Sequence, residues 1–461
     1  MIAGMSDTIA AIATPIGEGG IGIVRISGRD ALAIADRIFI SKNGKKPTDY
    51  KTYTVHYGWI AVSCQHNIID EVILTVMRAP NTYTREDVVE INCHGGIVAL
   101  RAILDLVLVS GARLAEQGEF TKRAFLNGRI DLVQAEAVFE VIKAKTDLAL
   151  KLGVRQLSGY LSSQIEKARK NLIDILSVIE ANIDFPDEEI KDADIGEVNS
   201  KLGNVNNQLK AILEGAKQGR IFKDGISAVI CGRPNVGKSS LLNAFLKQER
   251  SIVTPIAGTT RDTIEEIIDI RGIPVKIVDT AGILEPRDLV EKKAVARSKK
   301  YIKAADLIIL VFDGSRKLDK DDMLLVRKLK GNNAIAIINK MDIRQKVDKE
   351  YIYKNFRHVI SISAKKMKNI NVIEENIVDI VYKGKIPSPE LSIMSNYRHI
   401  EAARHAQKLI AETKKCLDNR VSWEFIAQGI KDALGYLDEI LGKSFTEDLL
   451  DKIFSEFCIG K

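Results

Sequence analysis

Four short segments, in chain order, carry residue types suited to a nucleotide. The first is Gly232-Arg-Pro-Asn-Val-Gly237-Lys238-Ser239, between the apolar run Ile226–Cys231 and a helix-like Ser240–Leu246. Glycines at this spacing let backbone N–H groups curl around phosphate oxygens at a helix N-terminus. Lys238 is placed to neutralise β- and γ-phosphate charge, and the Ser239 hydroxyl to ligate Mg2+. The second, Asp279-Thr280-Ala281-Gly282, follows the strand-like Val275–Val278. Asp279 suits Mg2+ held through water, and the Gly282 amide suits a γ-phosphate. The third, Asn339-Lys340-Met341-Asp342, follows Ala334–Ile338. A carboxylate at Asp342 matches N1–H and N2–H of guanine and would face the wrong edge of adenine. The fourth, Ser363-Ala364-Lys365, ends the strand-like Val359–Ser363 and backs up base recognition.

Together the segments imply a GTP site at the carboxyl ends of strands in an open α/β sheet. Its phosphate-side contacts are Asn235, Val236, Gly237, Lys238, Ser239 and Ser240. A polar loop, Thr254-Pro255-Ile256-Ala257-Gly258-Thr259-Thr260-Arg-Asp262, stands where a first switch belongs, and Thr260 is the expected Mg2+ ligand. One residue is missing. Ras-like enzymes that orient water with glutamine place it directly after the D-x-x-G segment. Here that stretch reads Ile283-Leu284-Glu285, and an isoleucine cannot polarise water. Glu285, Asp288 and Glu291 are the nearby acids, and local sequence does not choose among them.

The elements that position these segments follow from patterning. At 461 residues the chain exceeds one core. Residues 1–120 mix β-rich runs (Gly22–Ile26, Val72–Met77, Val88–Asn92) with a helical Val98–Val109, an α/β domain. Residues 121–218 carry apolar residues at helical spacing, such as Leu172, Ile175, Leu176 and Ile179, with Pro186 marking a break. Residues 219–383 alternate strands and amphipathic helices, a doubly wound pattern. After the Pro-containing Lys385–Pro389, helical periodicity returns from about Ile400 to Phe457, so that residues 384–461 form the second part of the helical domain. The predicted architecture is multidomain: an α/β N-terminal domain, an all-α helical domain in two parts, and a Ras-like α/β P-loop domain inserted between them.

The net charge of +7 is not spread evenly. Residues 219–384 hold 32 basic and 21 acidic side chains, and the rest of the chain is slightly acidic. A basic face there fits RNA phosphates or, more plainly, a bound nucleotide and solvent. No apolar run reaches membrane-spanning length, and no secretory signal is evident at the N-terminus. The five cysteines (Cys64, Cys93, Cys231, Cys416, Cys458) are scattered, which favours a reducing, cytoplasmic setting over a disulfide or zinc framework.

Beyond these segments the whole chain resembles the MnmE (TrmE) family of tRNA-modifying GTPases. The resemblance rests on Ala13–Gly28 (ATPIGEGGIGIVRISG), Glu86–Gly96 (EDVVEINCHGG), Gly118–Val138 (GEFTKRAFLNGRIDLVQAEAV), the nucleotide segments, and the terminal Cys458-Ile-Gly-Lys461. It implies an N-terminal domain that binds 5-formyltetrahydrofolate or a related folate, through Arg25, Glu90, Arg129 and Lys461, and forms a homodimer. It implies a role for Cys458 in one-carbon chemistry. It also implies a K+ held by Asn235, Thr254, Ile256 and Thr259, and selects Glu291 as the acid that orients water. The expected partners are tRNA and the FAD-dependent MnmG (GidA) protein, in a heterotetramer or larger complex, with no membrane. The expected chemistry is a carboxymethylaminomethyl- or aminomethyl-type group at C5 of the wobble uridine. A rival reading is an RNA-binding switch of ribosome assembly similar to the Era and Der GTPases, although no KH module or second G domain is visible.

Overall fold

A computed structural model describes residues 7–62, 67–184, 192–247, 265–279, 301–382 and 394–461. The chain divides into two units. The first comprises Met1–Phe139, Leu157–Arg169 and Leu434–Lys461, and the second Glu140–Gln156 and Lys170–Ala433.

The first unit is built on strands β1 (Ile9–Ile12), β2 (Gly19–Ser27), β3 (Phe39–Ser41), β4 (Thr54–Val62), β5 (Asn67–Met77), β6 (Val88–Gly95) and β7 (Arg113–Leu114). Their order is β3-β4-β5-β6-β2-β1-β7. All neighbours are antiparallel except β1 and β7. Alternation fixes which face is inside. In β5, Val72, Leu74 and Val76 are buried while Ile73 is exposed. Helices α1 (Ala31–Ile38) and α2 (Ile97–Val109) supply Ile34, Ala35, Leu100 and Ile103 to that core. Next come α3 (Glu119–Leu126) and α4 (Leu132–Lys143). Phe125 and Leu132 of these helices pack with Phe454 and Phe457 from the other end of the chain.

Helices α5 (Asp147–Leu157), α6 (Tyr160–Asp184), α7 (Asp192–Glu214) and α8 (Ala216–Asp224) follow. In α6 the spacing predicts an inner face: Leu172, Ile175 and Ile179 are fully buried, and Leu176 is half-buried at its margin.

The second unit holds strands β8 (Ile226–Cys231), β9 (Glu265–Ile270), β10 (Ile273–Asp279), β11 (Leu307–Asp313), β12 (Ala334–Asn339) and β13 (His358–Ser361), in the order β13-β12-β11-β8-β10-β9. Only β9 runs antiparallel to its neighbour. Helices α9 (Lys238–Leu246), α10 (Lys320–Leu329), α11 (Lys349–Asn355) and α12 (Ile370–Tyr382) accompany it. Apolar clusters line both faces of the sheet, as a mostly parallel sheet requires. The last strand is shorter than expected. It stops at Ser361, and Ser363 instead bridges back to Lys368. Helix α13 (Tyr397–Asp418) packs along α7, and α14 (Trp423–Leu441) and α15 (Glu447–Phe454) follow. No helix among the described residues is long and apolar enough to cross a membrane.

Candidate guanine-nucleotide site and a second charged cluster

The loop after β8 owes its curl to residues in the left-handed region. Gly232 has φ +145°, and a Cβ there would lie 2.4 Å from the Val311 carbonyl oxygen. Asn235 has φ +63°. Gly237, at the start of α9, has φ +100°, and its Cβ would lie 2.3 Å from Asn339 Nδ2. Glycine is therefore required at both ends by space as well as by backbone freedom. Lys238 opens α9, and its ammonium donates to the carbonyl oxygens of Gly232 (3.0 Å) and Arg233 (2.9 Å). Val236 is buried beneath the loop, whereas Ser239 and Ser240 are exposed. The Arg233 guanidinium contacts Asp319 and lies 3.7 Å from Asp321 and 3.9 Å from Asp322, all at the start of α10.

The segments after β12 and β13 are joined to this loop. Asn339 is buried and braces three places at once. Its Nδ2 donates to Val236 O (3.0 Å), and its Oδ1 accepts from Lys340 N (2.8 Å) and Ala364 N (3.0 Å). Lys340 donates through Nζ to Asn235 O (3.1 Å) and pairs with Asp313 at 2.6 Å. Burial alone would raise the Asp313 pKa, but hydrogen bonds from Lys340 and Ser315 outweigh it and hold the carboxyl below its usual range. The Ser363 hydroxyl donates to Asp342 Oδ1 at 2.6 Å. That bond, together with the charges of Lys365 and Lys366, keeps the Asp342 carboxyl below the ordinary carboxylate range. Asp342 and Lys365 themselves are exposed.

Asp279 closes β10 and pairs in register with Ile230 of β8. The expected contacts Thr254, Pro255, Ile256, Ala257, Gly258, Thr259, Thr260, Thr280, Ala281, Gly282 and Glu291 lie outside the described residues, as does the Asp279 side chain.

A second cluster forms in the first unit. Arg25 of β2 faces Glu90 of β6 in register, with Nε 2.8 Å from Oε1. The Arg25 Nη1 donates to the Gly460 carbonyl oxygen (3.2 Å), and its guanidinium lies 5.6 Å from the Phe120 ring centre. Phe120 is fully buried with Ile9, Ala11 and Ala115, and Tyr83 packs against them. Arg129, exposed, stacks its guanidinium 4.7 Å from the Tyr83 ring centre. The tail is knitted in: Gln117 bridges Ile459, and Lys461 N donates to Cys458 O (3.3 Å). Arg25, Glu90 and the tail thus meet, and Arg129 joins them through Tyr83 and Phe120, neither of which sequence reasoning singled out. Two paired arginine faces, a carboxylate and aromatic rings match the demands of a flat heterocycle with N–H donors and an anionic tail. Cys458 is exposed. Burial, with some help from Asp70, pushes the Cys93 thiol up to about 11, and burial pushes Cys231 up to about 12, so neither is a nucleophile at neutral pH.

The first unit also holds a charge network that sequence reasoning passed over. Arg123, only 1% exposed, pairs with Asp7 (2.7 Å), Glu119 (3.0 Å) and Glu86 (3.1 Å).

A mostly parallel sheet with this loop on its central strand, and an Asn-Lys-x-Asp loop bonded to it, defines a P-loop GTPase. A model of the TrmE N-terminus of GTP-binding proteins matches residues 8–129, and a model of the MnmE helical domain matches 132–458, a span that encloses the G domain. The chain belongs to the MnmE family of tRNA modification GTPases. It is 47% identical over 459 residues to tRNA modification GTPase MnmE of Clostridioides difficile (strain 630), covering 99% of this chain and 100% of that one. The protein of the same name from Alkaliphilus metalliredigens (strain QYMF) is 46% identical over 459 residues, with the same coverage. That of Bacillus subtilis (strain 168) is 44% identical over 458 residues, again covering 99% and 100%. Full-length agreement of this kind sets aside the Era/Der-like reading.

Proposed function

We propose that GTP turnover in this chain drives folate-dependent modification of C5 of the wobble uridine in certain tRNAs, in concert with an FAD-dependent MnmG partner. The observation that carries it is the pairing of two sites in one chain: the phosphate and guanine loops, and the Arg25–Glu90–Gly460 cluster. At the first, Asn235 to Ser240 enclose the phosphates, and Lys238 releases its two loop carbonyls to meet them. Ser239, Thr260 and, through water, Asp279 hold Mg2+. Asp342 accepts from the guanine N–H groups, with Asn339, Lys340, Ser363, Ala364 and Lys365 shaping the pocket. A bound K+ would supply the positive charge that an arginine supplies elsewhere. Asn235, Thr254, Ile256 and Thr259 hold it, and Glu291 orients water where Ile283 cannot.

At the second site, Glu90 accepts from pterin-type N–H groups. Arg25, Arg129 and Lys461 bind carboxylates, and Cys458, exposed and three residues before Lys461, takes part in the one-carbon chemistry. A homodimer formed through the N-terminal domain, acting in the cytoplasm, completes the reading. Mass spectrometry of tRNA nucleosides from cells lacking the protein tests it. Loss of the C5 substituent is expected, and an unchanged nucleoside profile would overturn it. Turnover in K+ and in Na+ at matched ionic strength tests the cation separately, with equal rates as the adverse result.

A further inference from the structure

The strands β9 and β10 form a hairpin with unusual constraints at its turn. The two turn residues, Arg271 (φ +53°) and Gly272 (φ +86°), are both left-handed, the geometry of a tight two-residue connection. Gly272 N donates to Asp269 Oδ1 at 2.6 Å. The Arg271 guanidinium reaches Glu375 (3.0 Å) and Glu374 (3.9 Å) on α12. The turn also touches the residues that begin α5. Thr146 Oγ1 donates to the Gly272 carbonyl oxygen at 3.0 Å. A Cβ at position 272 would lie 2.2 Å from Leu148 Cδ1, so the Leu148 side chain sits directly against the Gly272 backbone. Thr146 is 6% exposed and caps α5, accepting from Ala149 N at 3.1 Å. One hydroxyl thus belongs both to the hairpin turn and to the first turn of a helix.

The other end of the hairpin is set by sequence. β9 begins at Glu265, three residues after Asp262 of the first switch segment, and β10 ends at Asp279, which opens the second. Six register pairs join the two strands. A six-residue antiparallel pair is a stiff element about 20 Å long. A displacement imposed where both switch segments attach is therefore delivered at the turn, and the turn is seated on Thr146 and Leu148.

We infer that the Arg271–Gly272 turn transmits the nucleotide state of the G domain to the start of α5, with Thr146 and Leu148 as the residues that receive it. This deepens the reading of GTP turnover as a conformational drive and rests on it for the tRNA readout alone. Thr146 and Leu148 touch neither nucleotide nor substrate in this assignment; they are positioning residues.

Hydrogen exchange of the full-length protein, followed by mass spectrometry, tests the inference in K+ with GDP and with GDP plus aluminium fluoride. In the wild type, exchange across residues 147–157 should differ between the two states by at least twofold. Thr146→Val removes the donor, and Gly272→Ala strains the left-handed turn and displaces the Leu148 side chain packed on it. Both should abolish that difference and lower wobble modification tenfold or more, while GTP turnover stays within twofold. Thr146→Ser keeps the hydroxyl and should restore wild-type behaviour. No state-dependent exchange at residues 147–157 in the wild type would overturn the inference, and so would a wild-type difference retained in both Thr146→Val and Gly272→Ala. If Glu291→Ala abolishes hydrolysis but leaves modification intact, the drive reading fails, and the exchange comparison still decides this one.

Discussion

The carboxylate of Asp342 and the hydroxyl of Ser363 meet at 2.6 Å, although they lie on loops that follow different strands. The hydroxyl spends its proton on one oxygen and orients the other. Replacing Asp342 by Asn substitutes a donor for an acceptor opposite the guanine N–H groups. GTP affinity should fall about 10- to 100-fold, from the ~1.5–3 kcal/mol of a hydrogen bond to a charged group. Xanthosine triphosphate, which offers a carbonyl at that edge, should bind the variant better than GTP does. Fluorescent-nucleotide titration checks both. Because the folded pKa of Asp342 is depressed, wild-type guanine affinity should persist as pH falls through about 4 and fail only below the ordinary carboxylate range.

Gly237→Ala should weaken nucleotide binding without unfolding the sheet. The new Cβ would displace Asn339 Nδ2 and strain a left-handed backbone, at about 1–3 kcal/mol. Stopped-flow nucleotide dissociation should read the change as a faster off-rate, with circular dichroism unaltered.

The Arg123 network makes a stability prediction. Arg123→Met removes the buried cation that Asp7, Glu119 and Glu86 share, leaving Asp7 and Glu119 to Arg113 and Glu86 to the Ser27 hydroxyl, and should destabilise the first unit by about 1–3 kcal/mol at neutral pH. Burial pushes Asp7 and Glu119 up, but hydrogen bonds from Arg113 and Arg123 more than offset it, so both folded pKa values lie below their unfolded values. Their contribution is therefore fully present above about pH 4.5 and is lost as pH falls through the depressed folded values. The gap between wild type and variant should narrow in acid, as seen by chemical denaturation between pH 7 and pH 3.

Arg25→Ala should lower folate affinity roughly tenfold or more, given one charge-assisted bond lost and Glu90 left unpaired. Calorimetry with 5-formyltetrahydrofolate measures it. GTP turnover should not change.

The nucleotide loops were readable because their residues are contiguous and their glycines answer a local demand. What sequence alone missed is long-range. Asn339 was legible as part of a guanine motif, but its brace between Val236 and Ala364 depends on β13 lying beside β12 and on β8 lying one strand further on, across β11. Asp313, at the end of β11, carries no local signal of a role, yet it pairs with Lys340. Phe120 and Tyr83 looked like ordinary core residues, because nothing local says that an arginine will lie on each. Strand β13 was read two residues too long, since Ile362 is as apolar as the strand before it while its neighbour Ser363 turns back to Lys368.

The tail ties together residues far apart in the chain. Gly460 has φ +92°, and a Cβ there would lie 2.3 Å from the Ile12 carbonyl oxygen, so the end of the chain is pressed onto its first strand. Arg25 waits 435 residues for the carbonyl that completes its surroundings. The Arg25–Glu90 pair joins residues 65 apart, but the cluster closes only when residues 459 and 460 are in place. A product lacking the last few residues would keep its GTP loops and lose the Gly460 carbonyl that Arg25 engages and the bridge from Gln117 to Ile459.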